Sequence, residues 1–285
     1  MRKLLLGLTT LFTVFSLTGC GTRWEIADDA TCITVAASPT PHTEILNECI
    51  NLMSEKGYTL EVKEFTDYVL PNTATEDGSV QANYFQHTPY LEEFNELNGT
   101  HLVSVGKIHY EPFGIYAGTS SSLDNLPKGS KIVVPNDGTN EARALLLLEQ
   151  EGFIELNEGV GLSATKLDIK NNNGYEIIEA EAAAIASLRL DAALVVLNGN
   201  YALANELSVK DALAIEDSEG IAAQTYGNIL AVRDGNQDKA IVKALFECLT
   251  SDHIKNYINT TYNGSVVVPT NKQTNKEMIR SESNV

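Results

Sequence analysis

The chain has 285 residues, of which 38 are acidic and 20 are basic, so its formal net charge is −18. A surface that binds nucleic acid needs clustered Lys and Arg to neutralise phosphates, so this charge argues against nucleic acid as a partner. The length suits one large domain or two lobes, and the Gly, Pro and charged content is ordinary for a globular protein.

The first twenty residues have the organisation of a secretory signal. Residues 1–3 are Met-Arg-Lys, and residues 4–17 form an apolar run of 14 residues, which is too short to span a bilayer comfortably as a mature helix. Leu17-Thr18-Gly19-Cys20 resembles the bacterial lipobox, in which signal peptidase cuts before a cysteine that is then lipidated. The resemblance implies a signal peptide over residues 1–19. The alternative, a buried N-terminal helix, is disfavoured because Gly21-Thr22-Arg23 breaks the apolar pattern.

Lipidation of Cys20 predicts where the mature protein is held. Acyl chains on Cys20 would anchor the protein to a membrane without a transmembrane helix, facing the periplasm or the cell surface. Residues 20–30 are then the tether.

Strands and helices alternate along the rest of the chain. The predicted strands are Thr31–Ala37, Thr59–Phe65, Leu102–Tyr110, Lys131–Val134, Glu176–Ala180, Ala192–Val196 and Gly227–Arg233. The predicted helices are His42–Lys56, Glu141–Glu151, Ala182–Arg189, Asn200–Leu207 and Gln237–Leu249. Strands separated by helices indicate an α/β fold with mostly parallel sheets. Residues 270–285 lack periodicity and are predicted to be a disordered tail.

Cysteine spacing predicts neither a metal site nor a cofactor. Cys32, Cys49 and Cys248 remain after Cys20, and no C-x-x-C motif occurs. Cys49 and Cys248 lie on apolar helix faces, which favours buried free thiols. One disulfide is compatible with an exported chain, and the sequence does not define its pairing.

Residues 84–90 form an aromatic segment that contains Tyr84, Phe85, His87 and Tyr90. Their spacing fits one face of a helix poorly, so a loop or short helix lining a pocket is one prediction. The alternative is a core plug, in which the rings fill space and the Tyr and His groups find hydrogen-bond partners. The segment alone does not decide between the two.

A second candidate cluster lies in residues 135–143, at a turn entering a helix. If Asn140 is the N-cap, Arg143 lies over the same helix face. A helix N-terminus and an arginine fork both favour a carboxylate, so the pair predicts a carboxylate clamp. The alternative is a solvated Arg143 paired with a neighbour such as Asp137.

Two asparagines lie at predicted strand ends. Asn198 follows the strand over Ala192–Val196, and Asn228 lies at the start of the strand over Gly227–Arg233. Ligands of open α/β sheets bind at the carboxyl ends of strands, where the Asn198 amide oxygen could accept from an ammonium group. Each asparagine is also an ordinary turn former.

Several motifs, taken in order over residues 31–268, resemble one family, the methionine-binding lipoproteins of bacterial ABC importers, to which MetQ and NlpA belong. These motifs are residues 36–46, 82–91, 134–143 and 198–202, and Tyr226 with Asn228, and the lipobox at residues 17–20 precedes them. The resemblance implies a two-lobed periplasmic-binding-protein fold, type II-like, that closes over L-methionine. It also implies an ABC permease and its ATPase as partners.

The resemblance further implies a role for each candidate residue. Tyr84, Phe85, His87 and Tyr90 would surround the thioether. Arg143, helped by Asn140, would hold the α-carboxylate, and Asn198 and Asn228 would bind the α-ammonium. Residues 31–113 with 223–269 would form the first lobe and residues 114–222 the second.

Other functions stay open at this point. The ligand could be D-methionine, another small amino acid or a methionyl dipeptide, and a surface or adhesive lipoprotein would need no clamp. An enzyme could use His87 or His42 as a base, but the chain has no Gly-x-Ser-x-Gly and no His-Glu-x-x-His motif. We therefore expect a binding protein and not an enzyme.

Overall fold

The computed structural model describes residues 25–216 and 224–269. Three predicted segments lie wholly or partly outside the described residues. They are the signal peptide over 1–19, the tether in its residues 20–24, which include Cys20, and the tail over 270–285. Among the described helices, none is long and apolar enough to cross a membrane.

The described chain is an alternation of strands and helices, as predicted. The strands are β1 (Cys32–Ala37), β2 (Thr59–Glu64), β3 (Ala82–His87), β4 (Leu102–His109), β5 (Gly114–Ala117), β6 (Lys131–Pro135), β7 (Glu155–Leu156), β8 (Ile169–Asn171), β9 (Glu176–Ala180), β10 (Leu194–Leu197), β11 (Ala212–Ile215) and β12 (Asn228–Arg233). The helices are α1 (Glu44–Glu55), α2 (Leu70–Glu76), α3 (Thr88–Asn98), α4 (Gly138–Gln150), α5 (Ala182–Ile185), α6 (Gly199–Ala204), α7 (Ala240–Leu249) and α8 (Asp252–Thr261). The strands and helices predicted from the sequence are present with ends that differ by a few residues. The exception is the predicted helix over Ala182–Arg189, which is α-helical only to Ile185 and continues as a 3₁₀ helix over Ala186–Leu190.

Two five-stranded sheets carry the fold. The first has the order β2-β1-β3-β12-β4 and the second the order β11-β5-β10-β6-β9. In each sheet four strands share one direction, and the exceptions are β12 and β5. Each reversed strand is the first one after the chain has passed from one sheet to the other, between His109 and Gly114 and again between Ile215 and Asn228. The predicted mostly parallel α/β sheets are confirmed; the exact limits of the two lobes stay a prediction.

The prediction for the aromatic segment was wrong in its secondary structure. Residues 82–87 are strand β3, and the helix α3 follows directly. β3 lies inside the first sheet between β1 and β12, and all six of its residues are buried. A strand buried on both faces loses the polar–apolar alternation that would identify it, so its sequence does not read as a strand.

Separate apolar cores pack against the two sheets. In the first, α1 and α7 pack their apolar faces against β1, and Cys49 and Cys248 lie in this core. In the second, α4 packs against β6 and β10 through Leu145 and Leu148. Cys49 and Cys248 are buried free thiols, which confirms that prediction, and Cys32 is exposed and also free.

Candidate functional site

A cavity lies where the ends of strands from both sheets meet. Seven of the eight candidate residues line it: Phe85, His87, Tyr90, Asn140, Arg143, Asn198 and Asn228. The lining residues that were not predicted are Tyr68, Gln86, Glu111, Gly199 and Asn200.

The topology explains why residues so far apart in sequence meet here. His87 ends β3, and Asn198 directly follows β10, so both lie at carboxyl ends of strands. β12 runs in the reverse direction, and its first residue, Asn228, is therefore in register with His87 and with His109. A cavity at the carboxyl ends of strands is the usual ligand site of open α/β sheets.

Aromatic rings form one end of the cavity. The rings of Phe85 and Tyr90 lie 6.1 Å apart in an edge-to-face arrangement. Tyr68 completes the group, with its ring 5.8 Å from Phe85 and 5.7 Å from Tyr90. Its hydroxyl donates to Asn200 Oδ1 at 2.6 Å, which links the two lobes across the cavity. Tyr68 was missed because it lies in a loop with no distinguishing pattern.

Tyr84 is the predicted residue that the structure does not bring to the cavity. Its side chain is fully buried in the first core, and its hydroxyl donates to His109 Nδ1. Successive side chains of a strand point to opposite faces, so Tyr84 and Phe85 cannot both face the same space. Tyr84 therefore fits the core-plug alternative, whereas its neighbours Phe85 and His87 line the cavity.

Asn140 connects the two lobes from the first turn of α4. The N-cap of this helix is Asp137, not Asn140: the Asp137 carboxylate accepts from the Asn140 backbone N–H at 3.1 Å and from its side-chain amide at 2.7 Å. The freed Asn140 Oδ1 accepts from Asn198 Nδ2 at 2.8 Å and from His87 Nε2 at 3.3 Å. Asp and Asn are about equally favourable at an N-cap, and both occur in this segment. The prediction therefore placed the N-cap at Asn140, three residues after the observed N-cap Asp137.

Arg143 is buried, which excludes the solvated alternative. Its Nε donates to Glu216 Oε2 at 2.9 Å, and its Nη2 donates to Glu216 Oε1 and to the backbone oxygen of Glu111 at 2.9 Å. Its guanidinium carbon lies 4.4 Å from the ring centre of Tyr226 and 4.7 Å from that of Phe113. Nε and Nη2 are engaged, and no hydrogen bond from Nη1 to another described residue is observed, so Nη1 is the nitrogen with which Arg143 can meet a ligand.

A buried cluster of His42, His109 and Glu111 forms the wall behind the cavity. His109 Nε2 donates to Glu111 Oε1 at 2.8 Å, and His42 Nε2 donates to Asn228 Oδ1 at 3.0 Å with the same Glu111 oxygen 3.4 Å away. Burial lowers the pKa of His42 to about 4 and that of His109 to about 3. The three side chains offer ligand atoms within 4.8 Å of one another. His109 uses both ring nitrogens in hydrogen bonds, since its Nδ1 accepts from the Tyr84 hydroxyl, whereas His42 Nδ1 is buried without a partner among the described residues.

Among the residues that line the cavity, one buried polar atom has no partner in the described part of the chain. Asn198 donates through Nδ2, but its Oδ1 is buried and accepts no hydrogen bond from the described residues. A buried acceptor without a partner costs free energy, so its presence in a cavity points to a donor on a ligand.

Comparisons with known proteins agree over nearly the whole described chain. The family model for NlpA lipoprotein matches residues 33–270. The methionine-binding lipoprotein MetQ of Bacillus subtilis is 41% identical over 273 residues, covering 94% of this chain and 98% of that protein. A solved chain from Ruminococcus gnavus is 56% identical with a TM-score of 0.83, covering 85% of this chain and 100% of that one. The structure of a nutrient binding protein from Burkholderia cenocepacia bound to methionine is 38% identical with a TM-score of 0.79, covering 84% and 100%.

The two sheets, the double passage of the chain between them and the cavity at their strand ends define a two-lobed periplasmic-binding-protein fold. Within that class, the chain belongs to the NlpA lipoprotein family, as the resemblance of its motifs predicted.

Proposed function

We propose that this protein captures L-methionine between its two lobes and delivers it to an ABC importer. The observation that carries the proposal is the composition of the cavity, which has aromatic rings at one end and Arg143 with the unpartnered Asn198 Oδ1 at the other. A thioether packs favourably against aromatic rings, and a guanidinium pairs with a carboxylate. A relative is named for methionine binding and a similar structure holds methionine, which supports the same ligand.

The residues have separate roles in this proposal. Phe85, His87 and Tyr90 surround the thioether, and Arg143 Nη1 takes the carboxylate. Asn140 orients the site by holding His87 and Asn198. Ligand shifts the protein toward its closed form because it contacts both lobes at once.

The same proposal extends to location and partners. Acyl chains on Cys20 hold the protein at the extracytoplasmic face of a membrane, close to the permease and ATPase of the importer. Residues 31–113 with 223–269, and residues 114–222, move as the two lobes. No catalytic step is part of the proposed function, and the family is one of substrate-binding lipoproteins.

Calorimetric titration of the full chain tests the ligand. The protein is purified in detergent, unfolded and refolded to remove bound ligand, and titrated with L-methionine, D-methionine and a methionyl dipeptide. We expect one-to-one binding of L-methionine with a dissociation constant of about 1 μM or below. Absence of heat and of any thermal shift with all three compounds would remove methionine as the ligand.

Substitutions at Tyr84 and Phe85 test the two faces of β3. Tyr84→Phe should lower the free energy of unfolding by about 1–3 kcal/mol, because His109 Nδ1 is left buried without its donor. Its affinity for L-methionine should change much less than that of Phe85→Leu, because Tyr84 does not line the cavity and reaches it only through His109 and Glu111. Phe85→Leu should do the reverse, weakening binding about tenfold by removing a ring from the thioether while costing little stability. Equal loss of affinity in both variants would return Tyr84 to the site.

A further inference from the structure

The cavity offers a set of acceptors to the α-ammonium group of a bound amino acid. The family resemblance implies that the α-ammonium meets the amides of Asn198 and Asn228. The Asn228 oxygen is already engaged, because it accepts from His42 Nε2 at 3.0 Å. That leaves the neutral Asn198 Oδ1 as the free amide oxygen for an ammonium group with three N–H donors.

Glu111 supplies a carboxylate at this place. It lines the cavity and is only 5% exposed. Its carboxylate accepts from His109 Nε2, and the other nitrogen of that ring, Nδ1, accepts from the Tyr84 hydroxyl. The carboxylate also accepts from the backbone N–H of Asn200, in the first turn of α6. Its Oε2 lies beside the residue that follows Asn198: a Cβ added at Gly199 would lie 2.9 Å from this oxygen and 2.7 Å from Glu111 Cβ. The glycine therefore allows the carboxylate to approach the Asn198 end of the cavity.

The charges around the cavity favour a cation at Glu111. Arg143, the positive group of the wall, is already neutralised by Glu216. Burial raises the pKa of Glu111, whereas His42, Arg143 and the Asn200 backbone N–H lower it, and a cation bound beside the carboxylate would lower it further.

We propose that Glu111, together with Asn198 Oδ1, binds the ligand's α-ammonium group and makes the protein selective for a free amino group. This inference rests on the proposed function and adds to it a negatively charged partner, Glu111, for the ammonium group of the methionine zwitterion. It excludes N-acylated methionine and methionine-like acids without an amino group.

The role of Glu111 is tested by combining one substitution in the protein with one change in the ligand. Full chain in detergent, freed of ligand, is titrated with L-methionine and with its desamino analogue, which has hydrogen in place of the ammonium group. Glu111→Gln keeps the shape and removes the charge. We expect it to weaken L-methionine binding by about 100-fold and to change binding of the desamino analogue by less than about threefold.

Two further variants keep the test decisive. Glu111→Asp retains the charge and should retain the preference for L-methionine over the desamino analogue, even if overall affinity falls. Glu93→Gln removes a carboxylate at the contact between α3 and α4, outside the cavity wall, and should leave both affinities unchanged.

The outcomes separate this inference from the proposed function. If wild-type protein binds L-methionine but Glu111→Gln weakens both ligands equally, or neither, Glu111 has only a structural role and the inference is overturned. If wild-type protein binds neither ligand, the proposed function fails and the inference fails with it.

Discussion

Replacing Arg143 with alanine is expected to abolish L-methionine binding and to lower the free energy of unfolding by about 3–5 kcal/mol. The first effect follows because Nη1 is the proposed partner of the carboxylate. The second follows because Glu216 would be left as a buried, unpaired charge. Titration calorimetry measures the first effect and urea unfolding of the ligand-free protein measures the second.

A second substitution separates these two effects. In Arg143→Ala/Glu216→Gln the buried charge is gone, and glutamine can still accept from the Tyr110 hydroxyl and the Phe113 N–H, which now donate to Glu216 at 2.6 and 2.8 Å. Most of the lost stability should return, while binding stays absent. Arg143→Lys should keep the charge but not the forked geometry, and should bind weakly. Normal binding by Arg143→Ala would show that the carboxylate is held elsewhere.

Much of the fold could be predicted from the sequence because its signals are local. Short β-branched runs, turn residues and apolar helix faces identify β1, α1, β6 and α4 within single segments of chain. β3 shows the limit of such signals. All of its residues are buried at a central position of the sheet, between β1 and β12, and that position depends on strand order, which no local pattern encodes.

The candidate site also contains residues that could be predicted from the sequence and residues that could not. Phe85, His87, Asn140, Arg143 and Asn198 lie within short motifs, and the motifs as a set resemble one family. The groups that give these residues their electrostatic environment lie elsewhere in the chain: Glu216 is 73 residues from Arg143. A buried carboxylate far along the chain looks, in sequence, like any exposed one in a protein with 38 acidic residues.

Three buried histidines make the stability of the protein depend on pH. His42, His87 and His109 are each at most 5% exposed. Burial lowers the pKa of His42 to about 4 and that of His109 to about 3, and burial with the nearby charge of Arg143 lowers that of His87 to about 3. In the unfolded chain these groups titrate near their ordinary value of about 6.5. The unfolded state therefore binds more protons below that pH, and stability falls as the pH falls toward the folded-state values.

Between pH 7 and pH 5 we expect the ligand-free protein to lose a few kcal/mol of unfolding free energy. Each of the three histidines contributes a loss of about 2 kcal/mol over this interval. Asp137 opposes them, because burial raises its pKa to about 6 and its protonation then favours the folded state; the pKa of Glu111 is raised by burial as well. Three losses exceed these gains, so the net change is destabilising. Urea unfolding at the two pH values measures it.

His87→Gln identifies the contribution of a single buried imidazole. Glutamine can accept from the Tyr90 N–H and donate to Asn140, as His87 does at 3.2 and 3.3 Å, but it does not titrate. The variant should lose about 2 kcal/mol less than wild type between pH 7 and pH 5. The matched control is His253→Gln, whose side chain is 57% exposed in the native protein and which should follow the wild-type curve. If His87→Gln follows that curve too, His87 is not held neutral by the folded protein, and the pH dependence has its origin in other groups.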